Sequence, residues 1–251
     1  MKKINVLWTG GYDSTFRVLQ LSKFNIDIQP YYFKDNRVSE ENELNAIAEI
    51  TKDIYNHSET KATILPLITY NTSDVKTDKV ITEAYTNIRK SLPLGSQYDW
   101  LARFAKEKGM TDLELGLEKA ETSTARQTIK KFGEVKLIEK DQLSYYIIDK
   151  DKSSEDLIRV FGRFHFPNPL YNLTKQEMLI EYKKLGFENT INKTWFCHTP
   201  IDGQPCGVCN PCKSTLDEGM DFRFSKNALR RNKFSFIYKV FRKIKRTFSL
   251  S

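Results

Sequence analysis

Through the first half of the chain, short apolar, β-branched or aromatic runs alternate with longer stretches of helical period. Residues 4–8 predict a strand, 14–23 a helix, 28–33 a strand, 40–55 a helix and 63–67 another strand. Strands separated by helices imply an α/β fold whose sheet is parallel and whose crossovers are right-handed. A helix over 97–108, stopped by Gly109, leads to a strand over 113–117. Ligands of such sheets sit beyond the carboxyl ends of the strands, where Thr9, Lys34 and Glu118 fall. Residues 119–165 read as an insertion, and their charged, weakly periodic part, 119–156, is expected to form small helices over the site. Thr174-Lys175-Gln176-Glu177 spells a capping box, so a helix should start there and stop near Gly186. The chain thus divides into an α/β core over 1–118, the insertion, a helical and cysteine-bearing part over 166–225, and a tail over 226–251.

Composition narrows the setting. With 251 residues, 39% of them hydrophobic, the chain can bury a sizeable core. No run approaches the roughly 20 apolar residues of a membrane span, and Met1-Lys2-Lys3 passes straight into a strand, so a cytoplasmic location is expected. The net charge of +8 is a property of the tail: nine Lys/Arg and no Asp/Glu follow from Lys226 onward. There Phe234, Ile237, Phe241, Ile244 and Phe248 recur at helical spacing, with Lys239, Arg242, Lys243 and Arg246 on another face. Such a helix either packs its apolar stripe on the domain or a dimer mate, or binds an anionic nucleic acid, membrane surface or protein partner in a salt-sensitive way.

The segment Trp8-Thr9-Gly10-Gly11-Tyr12-Asp13-Ser14-Thr15 joins the first strand to the first helix. Its glycines let the backbone approach a ligand, and the turn amides with the Thr9, Ser14 and Thr15 hydroxyls form a cradle for phosphate oxygens. It lacks the Gly-Lys-Ser/Thr ending of the Walker loop and the third glycine of the dinucleotide fingerprint. The loop resembles the pyrophosphate loop (PP-loop) of the ATP pyrophosphatase family, with Thr9 in place of a leading serine. That resemblance implies a Rossmann-like parallel sheet of the adenine nucleotide alpha hydrolase type and cleavage of ATP to AMP and pyrophosphate.

Cys197, Cys206, Cys209 and Cys212 are the chain's four cysteines, and Gly203, Pro205, Gly207 and Pro211 supply the turns between them. In a cytosolic protein this spacing suits one tetrahedral structural zinc. An iron–sulfur cluster is the alternative, and His198 an alternative ligand. The stretch from Trp195-Phe196-Cys197 to Cys212, preceded by Pro169-Leu170, resembles the zinc segment of the 7-cyano-7-deazaguanine synthases. Leu92-Pro93-Leu94-Gly95-Ser96-Gln97-Tyr98 stands where those synthases carry Pro-Gly-Arg-Asn, and the insertion and tail are further departures. Divergent relatives of those synthases occur in bacterial defence clusters.

The resemblance implies that ATP activates the carboxylate of a 7-carboxy-7-deazaguanine-like acid through an acyl-adenylate. Ammonia or an amine would then give an amide, nitrile or conjugate. Asp13, Ser14 and Lys119 are the catalytic candidates, with Mg²⁺ held first by Asp13. Trp8, Thr9, Gly10, Gly11, Tyr12, Asp13, Ser14, Thr15, Arg37 and Gly116 are the ATP-binding candidates. The synthases are often homodimers, so a homodimer is compatible with the resemblance. Two other readings stand beside this one: a thiolation enzyme acting on tRNA or a nucleobase, which needs a free cysteine, and a non-catalytic nucleotide-binding scaffold.

Overall fold

The alternating pattern resolves, over residues 2–235 that the computed structural model describes, into a three-layer α/β arrangement. In chain order the elements begin with β1 (Lys3–Leu7), α1 (Tyr12–Leu21), β2 (Asp27–Lys34), α2 (Glu40–Asn56), β3 (Thr63–Ile64) and β4 (Ile68–Asn71). They continue with α3 (Lys79–Arg89), α4 (Gln97–Glu107), β5 (Leu113–Glu114), α5 (Thr124–Phe132), β6 (Val135–Lys140) and β7 (Leu143–Ile148). The last are α6 (Glu155–Phe161), β8 (Phe164–Pro167), α7 (Lys175–Lys184), α8 (Asn210–Asp217) and α9 (Lys226–Lys233). The sheet order is β3-β2-β1-β5-β8-β7-β6, with β4 also on β2. Pairs from β3 to β8 are parallel, and β7 pairs antiparallel with both β8 and β6.

Parallel strands covered on both faces read as unbroken apolar runs rather than alternations. In β2 all six residues between the end positions are buried. One face packs Phe16, Leu19, Ile50 and Tyr182 from α1, α2 and α7; the other packs Ile88, Phe104 and Phe161 from α3, α4 and α6. No helix among the described residues is long and apolar enough to cross a membrane.

Three expectations need correction. The strand over 63–67 shortens to β3, and β4 starts separately after Pro66, because Pro30 and Pro66 bring no N–H to the ladder; the Gln29 side-chain amide donates to the Pro66 carbonyl across the gap at 2.9 Å. The strand over 113–117 is cut to β5, followed only by the Leu115 amide donating to the His165 carbonyl. Residues 119–156 are not a set of small helices over the site: after α5 they form the β6–β7 hairpin, which extends the sheet. The box at Thr174 is present with both reciprocal bonds, and α7 ends before Gly186, whose φ is +79°.

The hairpin also closes over a buried ion pair. Arg17 of α1 donates from Nε and Nη2 to the two oxygens of Glu114 on β5, at 2.6 and 2.9 Å, and the guanidinium lies 5.4 Å from the ring centroid of Tyr145 on β7. Removing one member of such a pair leaves an uncompensated charge in the core. Glu114→Ala should therefore lower unfolding stability by about 3–5 kcal/mol in chemical denaturation, and a change under 1 kcal/mol would contradict a structural role for the pair.

The tail reading falls largely outside the described residues. Within them, α9 packs on the cysteine segment: Arg231 Nε donates to the Cys206 carbonyl at 2.9 Å, and Phe234 is exposed.

Candidate active site

Between β1 and α1 the chain turns at Gly10, whose φ is +68° and whose added Cβ would lie 2.7 Å from the Glu43 carbonyl oxygen. Only glycine fits both conditions. Gly11 is the N-cap of α1 and no side chain caps the helix, so its first-turn amides meet no internal acceptor. Thr9 and Ser14 bring their hydroxyls to 3.2 Å, and the Thr9 amide donates to Ser14 Oγ at 3.3 Å. Thr15 has a different role: buried, its Oγ1 accepts from the Trp8 indole at 3.0 Å. Two hydroxyls, not three, therefore stay with the cradle.

Beside the loop, residues distant in sequence form a charged cluster. Asp13 Oδ1 is buried without a hydrogen-bond partner. Burial first, then the charge on Glu118, push the Asp13 carboxyl well above the ordinary carboxylate range, with Lys175 opposing. Lys175, first residue of α7, reaches Glu218 at 3.0 Å and Glu118 at 3.8 Å. Burial disfavours its ammonium, yet Asp13, Glu118 and Glu218 hold its pKa above the ordinary lysine value. The Asp13, Glu118 and Glu218 carboxyls surround this one lysine, and the unpartnered Oδ1 of Asp13 is the atom there open to a cation. An added Cβ on Gly116 would touch Asp13 Cβ and the Ser14 amide nitrogen at 3.6 Å, so this glycine flanks the loop.

The remaining sequence candidates separate by environment. Trp8 lies wholly in the core. Tyr12 is buried and pins the loop to α7, its hydroxyl donating to the Lys175 carbonyl at 3.0 Å while the Tyr182 hydroxyl donates to its carbonyl at 2.6 Å. Arg37 is engaged by Asp35 and Glu43, each at 3.3 Å. Lys119 is exposed, with no ion pair among the described residues. It lines a cavity of about 490 Å³ together with Glu118, Lys175 and one face of α8. Sequence reasoning missed Lys175 and Glu218; the capping box marked Lys175 as a helix start but gave no sign of its charged neighbours.

The four cysteine sulfurs lie within 4.8 Å of one another, with Cys206 to Cys212 at 3.8 Å and Cys197 to Cys209 at 3.9 Å. Thiolates about 2.3 Å from a tetrahedral zinc are separated by about 3.8 Å, so the set fits that ion. The Val208 and Cys209 amides donate to Cys206 Sγ at 3.4 and 3.3 Å, and the Cys206 amide to Cys197 Sγ at 3.2 Å. Hydrogen bonds from Cys197 and Cys212 lower the Cys209 thiol. His198 is exposed and outside the set. The module is also bound to the loop: the Trp195 amide donates to the Gly10 carbonyl at 2.8 Å, and the Trp195 indole to the Cys197 carbonyl at 2.7 Å. Arg223, pulled down to about 10 by burial, donates to the Thr194 carbonyl at 2.6 Å and lies over the Phe196 ring.

Among solved structures, the chain is similar to a 4-thiouridine synthetase in complex with RNA and bound ATP, at 14% identity and a TM-score of 0.37. The match covers 94% of this chain and 53% of that one, so the chain spans about half its length. No curated protein matches it by sequence. The family described as "Queuosine biosynthesis protein QueC" matches residues 3–219, which hold both the loop and all four cysteines. The chain belongs to that QueC family, the PP-loop ATPases of the 7-cyano-7-deazaguanine synthase type.

Proposed function

We propose that the chain uses ATP to activate the carboxylate of a 7-carboxy-7-deazaguanine-like acid and joins it to ammonia or an amine. A carboxylate oxygen attacks the α-phosphorus, the bond to the β-phosphate oxygen breaks, and pyrophosphate leaves into the cradle of Thr9, Gly10, Gly11 and Ser14. The amine nitrogen then attacks the acyl carbon and AMP departs, giving an amide and releasing a proton; a second ATP could dehydrate the amide to a nitrile. The observation carrying this reading is the uncapped α1 terminus with its hydroxyls beside the orphaned Asp13 carboxyl. This chain's residues position the phosphates and stabilise their charge. Asp13 and Glu118 would hold Mg²⁺, which, when bound, neutralises charge on the phosphate oxygens. The four cysteines would hold zinc as a structural ion.

A persulfide-based thiolation is disfavoured, because all four cysteines of the chain converge on one point. The test is ATP–pyrophosphate exchange with 7-carboxy-7-deazaguanine and Mg²⁺, followed by mass analysis of products with ammonia. Exchange should require the acid. ATP binding without acid-dependent exchange would instead favour the scaffold reading.

A further inference from the structure

The cavity beside the loop has the cysteine module as one of its walls. Asn210, Lys213, Ser214 and Asp217 of α8 all border it, and their spacing of three and four puts them on one helix face. The facing wall is the segment after β5, including Glu118 and Lys119, and Lys175 lies between. The cavity shares Glu118, Lys175 and Glu218 with the charged group around Asp13, which links it to the phosphate loop, although no residue of the loop itself lines it.

The polar groups lining it are not equally occupied. Lys175 is held by Glu218 and Glu118. Lys213 is half-buried and makes no ion pair among the described residues, although Glu121 and Asp217 also line the cavity; the Asn210 side chain is exposed at its rim, with no protein hydrogen-bond partner among the described residues. An ammonium without a counter-ion and a carboxamide with free donor and acceptor sites converge from one helix face on one cavity. Its volume, about 490 Å³, falls within the range of small-molecule sites. Among the described residues no aromatic ring lines it, so their recognition of a ligand would rest on hydrogen bonds and charge rather than stacking.

Resting on the reading above that an acid is activated here, we propose that this cavity is the acid-binding site. Lys213 attracts the carboxylate and Asn210 reads an amide-like edge of the heterocycle. The acid is thus a small, polar, hydrogen-bonding carboxylate, and the cysteine module contributes to substrate choice as well as to folding.

The test compares wild type, Lys213→Gln and Lys213→Arg. AMP formation is titrated separately against 7-carboxy-7-deazaguanine and ATP, and calorimetry follows binding of that acid in the presence of α,β-methylene-ATP. Losing a partly buried charge-assisted contact should raise KM for the acid about tenfold in Lys213→Gln. KM for ATP should move less than twofold, and Lys213→Arg should recover most of the loss. Zinc content and melting temperature serve as folding controls. If wild type turns over and Lys213→Gln leaves acid KM unchanged, or raises both KM values equally, the assignment of this cavity is wrong. If wild type forms no AMP from the acid, the proposed reaction fails, and calorimetry still decides the site. Acid binding weakened about tenfold in Lys213→Gln would support it, and no binding, or equal binding by both proteins, would overturn it.

Discussion

Asp13→Ala is expected to lower AMP formation about 10³-fold while leaving the melting temperature unchanged or slightly raised. The two effects diverge because Asp13 Oδ1 is buried without a partner, and burial already pushes its carboxyl toward the neutral form. A desolvated carboxyl with one oxygen left unbonded is a cost to the fold, offset when a ligand or cation meets it. Removing it should therefore help folding and harm chemistry. Gly10→Val gives a contrasting pattern: at φ +68°, with its Cβ position 2.7 Å from the Glu43 carbonyl oxygen, it should reduce stability and turnover together. Measuring turnover and melting temperature on both variants separates the roles. Near wild-type turnover in Asp13→Ala would remove the loop from the mechanism.

The largest effect on the fold is expected at the cysteines. Structural zinc in small sites binds with an apparent free energy of about 10–16 kcal/mol, comparable to a domain's whole margin of stability. The protein should carry about one zinc per chain, and Cys206→Ser should yield little soluble protein. Cys206 matters most because its sulfur accepts from the Val208 and Cys209 amides and its carbonyl accepts from Arg231 of α9. Chelation of the wild-type protein should also weaken ATP binding, since Trp195, two positions before Cys197, holds the Gly10 carbonyl. Metal analysis, limited proteolysis and ATP calorimetry before and after chelation would show this. Metal-free protein that stays folded and binds ATP normally would overturn both the zinc assignment and its link to the loop.

Legibility in the sequence followed how local the physical signal was. The loop was legible because strand, glycines, hydroxyls and helix start lie within a few positions, and the cysteines because metal-ligand spacing is also a local property. The stripe of Ile81, Ala84, Tyr85 and Ile88 that buries α3 is equally local, although no helix is expected there from the pattern described above. The β6–β7 hairpin was hidden for a physical reason. Its edge strand Val-Lys-Leu-Ile-Glu-Lys exposes Leu137 and alternates poorly, and Asp141 and Gln142 turn at φ +53° and +68° without the glycine that usually marks such a turn. The Arg17–Glu114 pair and the cluster of Asp13, Glu118, Lys175 and Glu218 join residues about 40 to 200 positions apart, which no short window of sequence brings together.

The bond from Trp195 to Gly10 also has a consequence in time. The loop leaves the ribosome before its clamp, which follows about 185 residues later. At translation rates of about 5–20 residues per second, the nascent loop waits roughly 10–40 s with the Gly10 carbonyl lacking this donor. A nascent chain arrested before Trp195 should therefore fail to retain ATP, and one arrested after the fourth cysteine has cleared the exit tunnel should retain it once zinc is supplied.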